Sequence, residues 1–355
     1  MTDTSRLLNL DEFERAAAAT LPTMAFDYYA GGAADEVTLR GTRAAWDHVG
    51  IRYRVLRGIA ERSVATTVLG QELAVPILAA PMAFQRLAHP DGEVALMRAA
   101  GAAGAGMVLS TLSTTSLEEV RAASEAPLWF QLYIYKDRDA SKALVQRAEA
   151  AGCTALVLTV DSPILGRRER EARSGFHLPA EFPVPNLEGL ARSTLASSLH
   201  SFIAENWDAD ITWDDLAWLQ SITELPILVK GIVRGDDARL ALENGAAGVI
   251  VSNHGGRQLD TAVQSVRALS EVAQAMDGEG TLLVDGGIRR GTDIVKAMAL
   301  GAHAVLLGRP LLWGLAVDGE AGARRVFELL RDEFDVAMGL SGCASVDEIT
   351  LDLLD

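Results

Sequence analysis

At 355 residues, 49% of them apolar, the chain can bury one large core or two ordinary ones, because α/β barrels often hold such lengths in one domain. A formal charge of -16 excludes the basic face that non-specific binding to nucleic acid or anionic lipid needs, and no apolar run approaches the ~20 residues of a membrane helix. The amino terminus lacks the order of a secretory signal and Leu353-Leu354-Asp355 is no peroxisomal address, so a cytoplasmic enzyme is expected.

Residues 1–70 carry helical patterns at 10–20 and 35–47, with Pro22 marking a break between them, and read as an extension packed against the remainder of the chain. From residue 71 to about 340, short apolar runs alternate with amphipathic stretches. The runs fall at 75–80, 106–110, 128–133, 155–161, 226–230, 247–252, 281–285 and 304–308, with helix-like spacing at 91–103, 116–123, 140–151, 236–244 and 292–300. Eight such alternations predict an α/β fold: a parallel sheet closed into a (β/α)8 barrel. Gly245 and Gly301 sit where helix C-caps belong, and the two cysteines, Cys153 and Cys343, have no redox or zinc spacing. One connection, 166–212, is far longer than the rest and Pro-rich at 177–185. It reads either as a functional lid or as a surface insertion.

Barrel enzymes work at the C-terminal ends of their strands, so the polar residues that end the apolar runs are the candidates. In order these are Pro81-Met82-Ala83, Ser110, Gln131 with Tyr133, Thr159 with Asp161, Lys230, Ser252 with His254, and Asp285. The densest segment is Ser252-Asn253-His254-Gly255-Gly256-Arg257-Gln258-Leu259-Asp260, where a base and a cation stand three residues apart beside glycines that let the backbone turn. Such a pair suits proton removal next to a carboxylate. Asp161 has two readings, a structural acid ion-paired with Arg167-Arg168 or the carboxylate that orients His254, and the second is preferred. Either Arg167 or Arg168 could then join Arg257 on a substrate carboxylate. Two glycine turns with arginines, Asp285-Gly286-Gly287-Ile288-Arg289-Arg290-Gly291 and Gly308-Arg309-Pro310, come after the seventh and eighth runs, where barrels commonly bind phosphate. The other histidines form no metal-ligand spacing, and only His177 lies in the long loop where it could approach a site.

Assembled in order, these residues resemble the FMN-dependent 2-hydroxy acid oxidases, the group that includes glycolate, lactate and 4-hydroxymandelate oxidases. The likeness is carried by Phe26-Asp27-Tyr28-Tyr29-Ala30, Ala80-Pro81, Ala88-His89-Pro90, Phe130-Gln131-Leu132-Tyr133, Leu158-Thr159-Val160-Asp161, Gly166-Arg167-Arg168, Val229-Lys230-Gly231 and the three glycine-bearing segments above. It implies FMN as cofactor, a 2-hydroxy acid and O2 as partners, and a homotetramer or octamer. It further implies that His254, paired with Asp161, is the base, with Tyr133 also at the reacting centre. Arg168 and Arg257 would hold the substrate carboxylate, with Tyr28 and Tyr133 beside it.

On the cofactor side the resemblance places Pro81, Met82 and Ala83 against the flavin ring. Ser110, Gln131 and Thr159 fall at its polar edge, Ser252 close by, and Lys230 near N1 and O2, where a cation stabilises reduced flavin. Asp285 would meet the ribityl chain, and Gly287, Arg289, Gly308 and Arg309 the phosphate, with Gly286 also binding the cofactor. Met82 stands where glycolate oxidases usually have threonine and Leu112 where they have tryptophan, so the pocket for the Cα substituent is altered. The expected reaction is oxidation of an (S)-2-hydroxy acid, L-lactate first, to the 2-oxo acid with release of hydrogen peroxide. Mandelates, medium-chain acids and a quinone or cytochrome acceptor are the alternatives, and a non-redox FMN barrel or a phospholigand-binding barrel is the alternative of another class.

Overall fold

The computed structural model describes residues 3–189 and 199–355. A short hairpin, β1 (Thr66–Val68) and β2 (Gln71–Leu73), precedes eight parallel strands: β3 (Ile77–Ala79), β4 (Gly106–Leu109), β5 (Leu128–Leu132), β6 (Leu156–Thr159), β7 (Ile227–Ile232), β8 (Gly248–Val251), β9 (Thr281–Asp285) and β10 (Ala304–Leu307). β10 pairs with β3 (Leu306 opposite Leu78), which closes the predicted barrel. All eight expected runs form strands.

The period of two along each strand separates two buried layers. Leu78, Val108, Trp129, Val157, Leu228, Ile250, Leu283 and Leu306 fill the barrel, and Val68 and Leu73 of the hairpin pack with them. Their neighbours Ile77, Met107, Phe130, Leu158, Val229, Val249, Val284 and Val305 face the helices. The strands are therefore apolar on both sides, as a parallel sheet covered by helices requires.

The helices keep the expected positions, with ends set by local chemistry. Leu10–Thr20 starts on Asn9, whose side chain accepts from Glu12 N at 3.0 Å. The segment expected at 35–47 begins only at Val37, because Glu36 adopts a left-handed φ of 58°. Its first N–H groups, on Val37 and Thr38, donate to the Asp260 carboxylate at 3.2 and 2.8 Å, a cap from the far end of the sequence. Gly245 and Gly301, at φ 85° and 102°, end their helices as anticipated.

Three features depart from the sequence expectation. Pro22 does not merely interrupt the extension but precedes a further helix, Thr23–Ala30, which starts without a side-chain cap. After β10 a long helical segment, Arg309–Leu340, broken at Asp318-Gly319, packs on the Gly92–Ala102 helix. The 166–212 connection is neither a bare loop nor structureless: it contains helices Glu169–Ser174 and Leu199–Asn206, while its residues 190–198 lie outside the described residues.

One buried carboxylate fastens the loops after β3 and β4. Glu93, fully buried, accepts from the N–H groups of Gln85 and Thr114 (3.1 and 2.8 Å) and from the hydroxyls of Thr114 and Thr115. Glu93→Ala strands these donors, each worth ~1–3 kcal/mol when left unpaired, so a stability loss of about 3 kcal/mol is expected in urea unfolding. An unchanged midpoint would show that the donors find other partners.

Candidate active site

The site is the next rung of the barrel interior. Two residues beyond each interior side chain the same face continues as Ala80, Ser110, Gln131, Thr159, Lys230, Ser252, Asp285 and Gly308, so every strand delivers a small or polar group to one end. Two residues further, Tyr133, Asp161 and His254 form the layer above. These groups open into a solvent-connected cleft.

Of the residues singled out in sequence, Tyr28, Pro81, Met82, Ala83, Ser110, Leu112, Tyr133, Arg168, Lys230, His254, Arg257, Asp285, Gly286, Gly287, Arg289, Gly308 and Arg309 line that cleft. Gln131, Thr159, Ser252 and Asp161 support it from below or behind. Ser110 and Gln131 share a hydrogen bond (3.4 Å), and Ser252 accepts from Lys230 Nζ and from His254 N, both at 3.0 Å. His177 is exposed and bonded to the Gly175 carbonyl, outside the cleft.

His254 occupies a strained backbone position. Its φ is 55°, and Gly255 and Gly256 follow at 64° and 73°, so three consecutive left-handed residues swing the imidazole over the barrel mouth. The two glycines tolerate this conformation, and the histidine is held in it. Its Nδ1 lies 2.8 Å from Asp161 Oδ1 and 3.2 Å from Ser162 Oγ, which settles the two readings of Asp161 in favour of the imidazole partner. Asp161 reaches this position because Gly231 lies against it: a Cβ on Gly231 would come within 2.6 Å of Asp161 Cβ. The β-bulge between Lys230 and Ile232 makes that approach.

Burial opposes the charge on Asp161, yet His254 and Lys230 hold its carboxyl below the usual carboxylate range. Burial likewise pulls the His254 imidazole below 6.5, with Asp161 opposing and Lys230 and Arg168 adding to the fall. The ring is thus neutral at pH 7, with one nitrogen tied to Asp161 and the other free to take a proton. Because the folded pKa lies below the unfolded one, stability from this group is present at neutral pH and falls as pH drops below 6.5 toward the folded value. Substrate-driven flavin reduction is expected to have its acid limb below pH 6.5, and Asp161→Asn, by removing the opposing carboxylate, to move that limb lower still. Stopped-flow rates against pH test this. A limb displaced upward in the variant would contradict the assignment.

Arg168, not Arg167, joins Arg257. Arg167 is exposed and pairs with Glu169, whereas Arg168 donates to the Arg257 carbonyl (3.2 Å) and to Gln258 Oε1 (3.1 Å). Arg257 donates to the carbonyls of Tyr28 and Gly31 and lies over the Tyr28 ring at 5.0 Å, a cation–π contact. Burial pushes the Tyr28 hydroxyl up to about 12, and burial with Asp161 raises the Tyr133 phenol further, so both stay protonated as donors.

Several contributors were not legible in sequence. Phe176 stacks on Tyr28 (4.1 Å between ring centres) and Trp207 on Tyr133 (3.7 Å), so the long connection supplies the backing of both tyrosines. Glu171 accepts from both Arg168 and Arg257, and Trp46 Nε1 donates to the Gly286 carbonyl at 2.8 Å. Adjacent rings and arginines gave no local pattern for these long-range contacts.

Lys230, Arg289 and Arg309 bring further positive charge to the same cleft. Lys230 sits between Ser252 and Asp285 (3.2 Å), and although burial opposes its charge, Asp285 and Asp161 hold its ammonium above the usual range. Burial and neighbouring arginines hold the Arg309 guanidinium below its ordinary range, and burial does the same to Arg289. Close by, the buried atoms Gln131 Nε2, Thr159 Oγ1 and Asp285 Oδ1 have no hydrogen-bond partner among the described residues. Orphaned donors and acceptors at the strand ends, with two desolvated arginines beside glycine turns, fit a flavin mononucleotide: polar ring edges, a polyol and a phosphate.

Comparison with known proteins points to the same cofactor. Residues 17–355 match the model of the FMN-dependent dehydrogenase family. The chain is 51% identical to an L-lactate oxidase from Nostoc sp., over the full length of both, and 49% identical to glycolate oxidase 3 from Oryza sativa subsp. indica, over 97% of this chain and 95% of that protein. Among solved structures, mandelate oxidase superposes with a TM-score of 0.92 at 43% identity, covering 98% of each chain. The chain belongs to the FMN-dependent dehydrogenase family and, within it, to the 2-hydroxy acid oxidases, with FMN as cofactor.

Proposed function

We propose that this enzyme oxidises a short aliphatic (S)-2-hydroxy acid, L-lactate first, to the 2-oxo acid, and that O2 takes up the electrons as hydrogen peroxide. The observation that carries the reading is the His254 imidazole, 2.8 Å from the Asp161 carboxylate, in the same cleft as the Arg168 and Arg257 guanidiniums. Arg168 and Arg257 bind the carboxylate; Tyr28 and Tyr133 donate hydrogen bonds beside it. His254 accepts a proton from the bound acid and passes into a charged state that Asp161 stabilises. FMN, when bound, supplies the two-electron acceptor. Lys230 would stabilise negative charge on the bound cofactor, and Gln131, Thr159 and Asp285 would hydrogen-bond to its polar groups.

For the substituent, Leu112, Leu165, Ile203 and Trp207 offer an apolar wall, which favours an alkyl group over hydrogen. The (S) hand is that of the relatives, one an L-lactate oxidase and another a mandelate oxidase solved with (S)-4-hydroxymandelic acid. A second reading, an aromatic 2-hydroxy acid, has the support of that structural likeness and of the same wall. Steady-state kcat/KM for glycolate, L-lactate, longer alkyl acids and mandelates separates the two. L-lactate or a longer alkyl acid should exceed glycolate and mandelate, and a mandelate maximum would favour the second reading. One peroxide per substrate under air supports oxygen as acceptor; turnover only with added quinone or cytochrome would overturn it.

Self-association into a homotetramer or octamer belongs to the same reading. It is supported by exposed Tyr53, Val55, Leu56, Leu340 and Leu351, on segments tied together by Arg54 N to the Ser341 carbonyl (3.0 Å) and by the Arg54–Asp352 ion pair. Sedimentation of a monomer at micromolar concentration would refute it. Among the described residues no helix is long and apolar enough to cross a membrane, and a cytoplasmic location completes the proposal.

A further inference from the structure

The glycine turn after β9 is held from outside the cleft by the helix Val37–Asp47. Gly286 and Gly287 adopt φ 93° and 82°, and a Cβ on Gly287 would lie 2.8 Å from both Thr42 Cγ2 and Trp46 Cδ1, so the helix packs directly on the turn's backbone. Two consecutive carbonyls face that helix: Gly286 O accepts from Trp46 Nε1 at 2.8 Å and Gly287 O from Arg43 Nη1 at 2.9 Å. Arg43 also forks onto the fully buried Asp293 carboxylate, whose Oδ2 accepts from the N–H groups of Arg289 and Arg290, both at 2.9 Å. Gly286, Gly287, Ile288 and Arg289 line the cleft, whereas Arg43, Trp46 and Asp293 do not. The peptides are trans, so each carbonyl turned toward the helix sends the N–H of the following residue the other way, toward the cleft. Those N–H groups belong to Gly287 and Ile288, and neither has an acceptor among the described residues.

We propose that Arg43 and Trp46 are positioning residues for the cofactor phosphate: by holding the Gly286 and Gly287 carbonyls outward they keep two backbone N–H groups aimed at the anion, and so set part of the site's preference for FMN over unphosphorylated riboflavin. The inference rests on placing the phosphate at the Gly287–Arg289 turn. Successive N–H groups pointing into one concavity bind an anion, whereas a carbonyl turned into it presents partial negative charge. With no Cβ at either position, the glycine backbone rotates between these alternatives at little steric cost, so the turn's own sequence does not choose. The helix chooses. A rotation that brought either carbonyl into the cleft would strand the buried Trp46 indole N–H or break the Arg43 bond. The buried Lys296 ammonium donates to the Trp46 carbonyl at 2.8 Å and fixes the end of the helix on which both donors stand. Riboflavin shares the ring and the polyol with FMN but lacks the anion, so the orientation of these two peptides matters little to it.

Equilibrium dialysis of the full-length, flavin-stripped chain against FMN and against riboflavin tests this without turnover. Arg43→Met should lower the ratio of riboflavin Kd to FMN Kd by about 10–100-fold, the worth of a charge-assisted bond. Trp46→Phe, which keeps a ring against the turn, should lower it by about fivefold, the worth of a neutral bond. A ratio within about twofold of the parent's in either variant overturns the proposal, even where both flavins bind more weakly, because a helix that merely supports the fold serves both ligands alike. Should Arg43→Met not fold, Trp46→Phe decides alone. Arg289→Met reports on the placement of the phosphate separately. An unchanged ratio there means that the phosphate lies elsewhere, and the placement fails together with the inference. A lowered ratio there, with unchanged ratios in the helix variants, fails only the positioning role.

Discussion

Replacing His254 with Asn should leave a yellow, FMN-loaded protein whose flavin is reduced by a 2-hydroxy acid about 10²–10⁴ times more slowly, the usual contribution of a positioned general base. Asparagine is chosen because it tolerates the left-handed backbone that His254 adopts at φ 55°, so the turn through Gly255 and Gly256 should survive. The lost function is then the proton acceptor and not the loop. Stopped-flow mixing under anaerobic conditions reads the rate directly, and a near-normal rate with full FMN content would remove His254 from the chemistry. The expected loss exceeds that for Asp161→Asn at its own optimum, because Asp161 acts only by orienting the ring and stabilising its charge.

Arg257→Met should weaken binding of the acid by about 30–150-fold, the worth of one charge-assisted hydrogen-bonded contact of about 2–3 kcal/mol. The effect should fall on the substrate concentration needed for half-maximal reduction more than on the limiting rate. Arg257 also donates to the carbonyls of Tyr28 and Gly31, at the end of the Thr23–Ala30 helix, so part of any damage is structural. Thermal stability and FMN content measured beside the kinetics separate the parts. Half-saturation unchanged in a stable, FMN-replete variant would take Arg257 out of the clamp.

The legible part of the sequence was its periodicity. The eight apolar runs became eight strands because burial on both faces leaves no other use for them, and the polar residue ending each run fell on the interior face because side chains alternate. Ser110, Gln131, Thr159, Lys230, Ser252 and Asp285 could therefore be found from strand ends alone. The segment from Ser252 to Asp260 brings His254 and Arg257 to the cleft, but its last residue serves elsewhere, since Asp260 caps the helix Val37–Asp47.

The rest was not legible because it depends on contacts between distant segments. Nothing near Pro22 announces that the next eight residues form a helix, since its start has no side-chain cap and its stability comes from packing. The long connection read as lid or insertion, and its Phe176 and Trp207 gain meaning only through the tyrosines they stack on. Glu171 looked like one charge in an Arg-Glu-Arg-Glu run, and the run itself did not say which charges turn inward. Met82 and Leu112 do line the cleft, as the altered pocket required.

The reaction stands or falls on anaerobic mixing of the FMN-loaded enzyme with L-lactate and, separately, D-lactate while the flavin absorption is monitored. The L isomer should bleach the flavin completely, the D isomer should leave it oxidised, and admission of air should restore the colour with one peroxide per flavin. An oxidised flavin after L-lactate and after every other (S)-2-hydroxy acid would contradict the assignment of His254, Arg168 and Arg257 to this chemistry.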